Sequence, residues 1–349
     1  MKYRLTNETI KVGVVILHRI ECVEAFANVK AGEKGGWIES ECNLSHTGNA
    51  WVYGDAQVFG NAAVFGNAAV FGHAAVFGHA EVFGNAEVSG KALVYSDAEV
   101  CDNAEVWGNA QVWGNAQVSG NARVSGNAWV FGNAEVYGDA KVCDNAQVWG
   151  DAVVWGNAKV WDNAKVSGNA EVYGDAKVYG NADVYDDAKV CDNARVYDEA
   201  QACDNAKVYG NARVNGSAQV YDFARVFGGA HVSGDAQVYG NALVCGPAHI
   251  HGSAHVYGSA TVWDFADICG DARISQDTDF IVFSNKFLLG GYFTWTRSDN
   301  MWTIRGCRLT GEQLIVQVRH INEDKARCYA LYVKLVEDLQ KVNDANPSI

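Results

Sequence analysis

The sequence predicts an all-β solenoid of about twelve to thirteen triangular coils, followed by a small α+β region. Three observations carry that prediction. Between residues 48 and 275 a pattern of the form G-N-A-x-V-x recurs without insertion or deletion, with Ala at every sixth position from Ala50 to Ala272, 38 hexads in all. Two residues after each Ala stands an aliphatic, from Val52 to Ile274, broken only by Ala202. The remaining places are filled mostly by Gly, Asn or Asp. A unit this short cannot bury a core alone, so the copies must stack.

Within a hexad, Ala146 and Val148 lie two apart and share one face of a strand, while Gln147 and Trp149 point the other way. Gly150 and Asp151 form the corner, because Gly, Asn and Asp tolerate the left-handed backbone that a sharp bend needs. Three such sides close a coil of eighteen residues. Residues eighteen apart therefore stack at about 4.8 Å, and the whole stack would run roughly 60 Å. The pattern resembles the left-handed parallel β-helix of the hexapeptide-repeat proteins, and the handedness is implied by that resemblance. One departure stands out: the place after the inward aliphatic, small in that family, is Phe, Tyr or Trp in 24 of 38 hexads.

Residues 1–47 lack the hexad. They hold a β-rich run, Val12 to Cys22, and a turn, Ala31 to Gly36, and are expected to cap the open end of residues 48–275. Val29-Lys30-Ala31-Gly32, Gly35-Gly36-Trp37 and Asn43-Leu44-Ser45 ahead of the repeats resemble the start of the YdcK-like bacterial hexapeptide-repeat proteins. That resemblance implies a fold and no chemistry. After Ser275 the period stops, and residues 276–349 predict strands at Phe280 to Phe283, Tyr292 to Thr296 and Met301 to Ile304. Thr310-Gly311-Glu312-Gln313 has the form of a capping box. Asn322 would cap a longer helix through Val342, with Tyr329, Val333, Val336 and Leu339 on one side. Arg297, Trp302, Gly306-Cys307 and Gly311-Glu312 are similar to a tail region of phage and gut-bacterial repeat proteins. This region is expected to have its own core, separable from the solenoid.

The formal charge of −14 disfavours indiscriminate binding to nucleic acid or anionic membrane. No apolar run reaches membrane-spanning length, and none resembles a secretion signal, so a cytoplasmic protein is expected. Six of the ten cysteines, Cys101, Cys143, Cys191, Cys203, Cys245 and Cys269, occupy the outward place after Val or its substitute and read as reduced surface thiols.

Stacking by eighteen gives three sides. The first carries Phe59, Phe77, Tyr95, Trp113, Phe131 and Trp149 beside the uncharged Gln111, Trp129 and Gln147, a neutral aromatic strip expected to be an oligomer interface. On the second, Glu87 and Glu105 are followed by Arg123, Lys141, Lys159, Lys177, Arg195 and Arg213, then by His231 and His249. These cations are the candidate binding site for an anionic partner, with Asp144, Asp162 and Asp198 as expected compensating charges. Ser125, Cys143 and Asn215 leave the column without aromatic interleaving, which argues against nucleic acid. The third side runs from Glu81, Glu99, Glu135 and Glu171 to Lys189, Lys207 and Arg225.

Ligand-type side chains gather in one place. His231, His249 and His251, with Asp267 and Cys269 one coil on, form a candidate Zn²⁺ or Ni²⁺ site. His73 and His79 fall on different corners and read as substitutes for Asn. Resemblance to hexapeptide-repeat acyltransferases implies acetyl-CoA chemistry at subunit interfaces as an alternative. The uninterrupted hexads instead favour a non-enzymatic scaffold without a cofactor, a homo-oligomer that presents its sides or tail to a protein partner.

Overall fold

Each hexad contributes one two-residue strand, such as Gln57–Val58, Ala63–Val64 and Ala69–Val70, and each strand pairs in parallel with the strand eighteen residues on. The joining bond is regular: Gln57 N–H donates to the Ala74 carbonyl at 2.9 Å and Phe59 N–H to that of Val76 at 3.1 Å. The structure is a computed structural model that describes residues 1–285, 291–304 and 306–345, and it divides into two compact units, 1–216 and 217–349.

In the first unit the strands form three columns. One runs from Gln57 to Gln201, the second from Trp51 to Arg213, and the third from Ala63 to Lys207. Ala and Val at the inward places are buried throughout, which is the core the hexad predicts. Ala202, the one small residue in the aliphatic series, is buried like the valines. Corners need a left-handed residue, as at Gly126 with φ of +68°, where an added Cβ would lie 2.8 Å from the Asp144 nitrogen of the next coil. Asp takes this place nine times, Asp102 and Asp144 among them, and its carboxylate can accept a bond that Gly cannot: Asp102 accepts from Gly120 N–H at 3.1 Å.

The repeat Asn residues do not serve the bend. Among the described residues none of them lies in the left-handed region. They form side-chain ladders instead: Asn49, Asn67, Asn85, Asn103 and Asn121 each donate to the residue one coil on, at 3.0 to 3.1 Å. An amide suits this because it donates and accepts at once. His79 joins such a ladder, 3.4 Å from the Asn61 amide.

The first coil is closed by residues 1–47. A hairpin of Tyr3–Val12 and Val15–Cys22 pairs with Lys34–Ile38, which then pairs in parallel with Gln57–Val58. Exposed carbonyls of that coil receive donors: Lys2 Nζ bonds Ala50 O at 2.8 Å, and the Asn43 amide bonds Gly60 O at 3.0 Å and Ala62 O at 2.9 Å. Trp51 holds an outward place, yet Tyr3 and Phe26 cover it completely.

The second unit continues the hexads from Gln219–Val220 to Arg273–Ile274 and then changes character. Four antiparallel strands follow, Phe280–Asn285, Gly291–Thr296, Met301–Ile304 and Cys307–Leu309, the last of them not anticipated. Helices Gly311–Arg319 and Glu323–Ala345 pack on this sheet through Leu314, Val318, Tyr329 and Val336. Both predicted caps form: Thr310 accepts from Gln313 N–H at 3.2 Å, and Asn322 from Lys325 N–H at 2.9 Å. Leu339 departs from expectation, being 41% exposed. No helix among the described residues is long and apolar enough to cross a membrane.

The tail's core is its own, but the tail is not independent of the last coil. Three terminal strands present unpaired N–H groups, and each finds an acceptor in the tail. Thr261 N–H bonds Asp277 Oδ1 at 2.6 Å, Asp267 N–H bonds Thr294 Oγ1 at 2.9 Å, and Arg273 N–H bonds Ser298 Oγ at 2.7 Å. Phe265 stacks on Tyr292 with centroids 3.9 Å apart. Two outcomes follow. Val148→Asp, which buries an unpaired carboxylate, should destabilise the fold by about 3 kcal/mol or more, read as a lowered thermal midpoint by circular dichroism. A chain ended at Ser275 should aggregate in light scattering, because its last coil loses all three acceptors.

Candidate anion-binding groove and aromatic strip

The sheet register places Arg123, Lys141, Lys159, Lys177, Arg195 and Arg213 directly above one another on the second side. At about 4.8 Å between neighbours, like charges in water repel by roughly 1 kcal/mol per pair. Relief is sparse. Arg123 bonds Glu105 at 3.2 Å, and among the described residues the other five cations make no ion pair. The expected compensators face elsewhere: Asp144, Asp162 and Asp198 sit at the left-handed corners. There Asp162 accepts from Gly180 N–H at 3.1 Å and Asp198 from Gly216 N–H at 3.2 Å.

Beside the cations runs a corner column, and the two columns bound an open groove of about 590 Å³. Asn121, Asp139, Asn157, Asp175 and Asn193 form its other wall. Here the asparagine ladder stops. Asn121 donates to Asp139 at 3.0 Å, but the side chains of Asn157, Asp175 and Asn193 make no hydrogen bond among the described residues. Three polar groups and four cations, Lys141, Lys159, Lys177 and Arg195, therefore face the groove uncommitted. Spacing alone could have located the second wall, since each corner residue precedes its cation by two and shares its face. The column also has aromatic neighbours that the reading of Ser125, Cys143 and Asn215 passed over: Trp161, Tyr179 and Tyr197 stack at 4.4 and 4.9 Å.

On the first side, Phe59, Phe77, Tyr95, Trp113, Phe131 and Trp149 form one continuous stack, with centroids 4.4 to 5.8 Å apart and planes within 6°. Stacking covers the ring faces and leaves edges outward. Trp129 stands apart, 39% exposed and edge-on to Trp113 at 5.7 Å.

The ligand-type residues of the second unit separate into pairs. His231 and His249 meet edge to face at 5.6 Å. His251 Nε2 bonds Asp267 Oδ1 at 2.8 Å, diagonally across the register that sets Asp267 beside His249. Cys269 is buried, with Sγ 3.2 Å from Thr303 Oγ1. Among the described residues no three His, Cys, Asp or Glu side chains converge to hold a metal ion. The cysteines are all free. Cys101 and Cys143 are half-buried rather than fully exposed, and burial first, then the neighbouring Asp carboxylates, pushes their thiols up to about 11.

Residues 116–132, 206–222 and 236–252 match the model of the YdcK β-solenoid repeat family. Over these stretches the chain carries repeats similar to those of that family. All three matched stretches lie within the hexads. No curated protein matches the chain.

His251 gives a measurable signature. Its hydrogen bond to Asp267, then that to Cys269, raises the imidazole to about 10, so the ring is cationic at neutral pH. Because the folded value is raised, the stability contributed by this pair is complete below the ordinary histidine value of about 6.5 and is lost as pH rises through about 10. An NMR titration of the ring protons should show a midpoint near 10 in the parent. In Asp267→Asn the midpoint should fall toward about 6.5.

Proposed function

We propose that this chain is a non-enzymatic scaffold that associates with itself through the neutral aromatic side and presents its charged columns, or its tail, to a protein partner. The observation that carries the reading is the aromatic strip. Six stacked rings and the half-exposed Trp129 make a flat strip over six coils whose strand positions carry no charge, and apolar strips of this kind mark interaction sites more often than bare surface. Flat sides made of two-residue strands supply rigid, evenly spaced contacts, which suits assembly. The uncommitted cations of the second side add a surface for an acidic partner. Nothing in the geometry favours the acyl transfer implied by the wider hexapeptide class.

Charging the strip tests this. Trp113→Glu with Trp149→Glu should convert an oligomer to monomer in light-scattering chromatography while the β signal in circular dichroism stays unchanged, since both side chains lie outside the core. A parent that is monomeric at every concentration, or a variant that keeps its mass, would refute the interface.

A further inference from the structure

The second and third sides of the first unit are charged in the same order, acidic and then basic along the chain. Along the second side Glu87 and Glu105 precede six cations, whereas along the third Glu81, Glu99, Glu135 and Glu171 precede Lys189 and Lys207. Each column has one change of sign, and a single intramolecular ion pair marks it: Arg123 with Glu105 at 3.2 Å, and Lys189 with Glu171 at 2.7 Å.

We infer that the second side of one molecule docks on the third side of a second copy, with the two solenoid axes antiparallel. Direction is fixed by the strands. All strands of a parallel solenoid run round its axis in one sense, so two copies with opposed axes bring strands together that point the same way. The charged column of one then meets the charged column of the other, and the aromatic column meets the aromatic column. With parallel axes the facing strands run oppositely, and charged residues meet aromatic ones.

Placing Arg123 opposite Glu171 of a second copy fixes the rest, because both columns advance one coil per eighteen residues. Glu105 then faces Lys189, Lys159 faces Glu135, Arg195 faces Glu99 and Arg213 faces Glu81, with Glu87 against Lys207 at the end. Lys141 and Lys177 face the uncharged Val153 and Gln117. No like charges meet between these two columns; in the corner columns two residues earlier Asp139 faces Asp151. The two sign changes fall opposite one another, so their ion pairs merge into a four-residue cluster. Sliding by one coil in either direction sets Glu105 against Glu171, or Arg123 against Lys189.

The neighbouring column provides an independent observation. In the same register Trp107 faces Cys191, Ser125 faces Tyr173, Cys143 faces Trp155, Tyr179 faces Ser119 and Tyr197 faces Cys101. Large opposes small at each, and all ten side chains are half-buried. Trp161 against Tyr137 is the exception. A free polyanion has no repeat that matches the coil spacing, whereas a second solenoid has the same one. Contact of this kind is heterologous: the second copy keeps its own cationic column open, so association can propagate.

This inference shares with the scaffold reading only the premise that copies associate; the surface is different. The test is sedimentation of the full chain and its charge-reversal variants at low and high salt. The parent should associate at least about tenfold more weakly at 0.5 M than at 0.05 M NaCl. Lys159→Glu and Glu135→Lys should each weaken association about tenfold, and the double variant should recover to within about threefold. Arg195→Glu with Glu99→Lys is a second pair if either single variant of the first loses its β signal. Failure of the double variants to recover, or indifference to salt and to every reversal, would overturn the docking. If Trp113→Glu with Trp149→Glu disperses such a salt-indifferent oligomer, the aromatic interface stands and this one falls. If it has no effect while the reversals behave as described, the docking stands and the aromatic interface falls. A strict monomer removes both.

Discussion

The bond from each strand N–H to the carbonyl one coil later is the interaction on which the remaining structure depends. Every such bond points the same way, so the first coil offers carbonyls and the last offers N–H groups. The two flanking regions answer with opposite chemistry. An ammonium from Lys2 and an amide from Asn43 donate at the first coil, while a carboxylate from Asp277 and hydroxyls from Thr294 and Ser298 accept at the last. Each cap fits its own end alone, because a donor set cannot satisfy unpaired donors.

Stacking in register makes each outward place a column, and a column amplifies whatever residue it repeats. Aromatic rings repeated at coil spacing fall into flat stacks, and amides into hydrogen-bonded ladders. Cations repeated in the same way become a liability that only solvent or an opposite column relieves. The asparagine ladder ends where the cations are densest, leaving Asn157 and Asn193 without the bond that Asn103 and Asn121 make. Structure and surface chemistry thus change together along the groove.

Much of this was legible in the sequence, for one reason: period. Ala146 and Val148 could be placed inside, and Lys141 above Lys159, because position within the hexad determines both face and neighbour. What was misread lies where period gives no help. Asn and Gly share the corner in sequence, but only the Gly place needs a left-handed backbone, and the distinction rests on side-chain bonds one coil away. Asp162 is near Lys159 in sequence yet turns to a backbone N–H. His251 reaches Asp267 diagonally, where stacking alone placed Asp267 over His249. Thr294 and Ser298 belong to strands and turns with no repeat, so their role at the last coil could not be foreseen from spacing.

The eighteen-residue coil also sets a rule for how such a chain can change length. Adding or removing a single hexad would preserve every inward Ala and Val, yet it would move each later residue to the next side, joining cationic segments to aromatic ones. Only whole coils can be gained or lost without exchanging the sides, so a lineage of such chains should vary in steps of three hexads while its surface columns keep their identity.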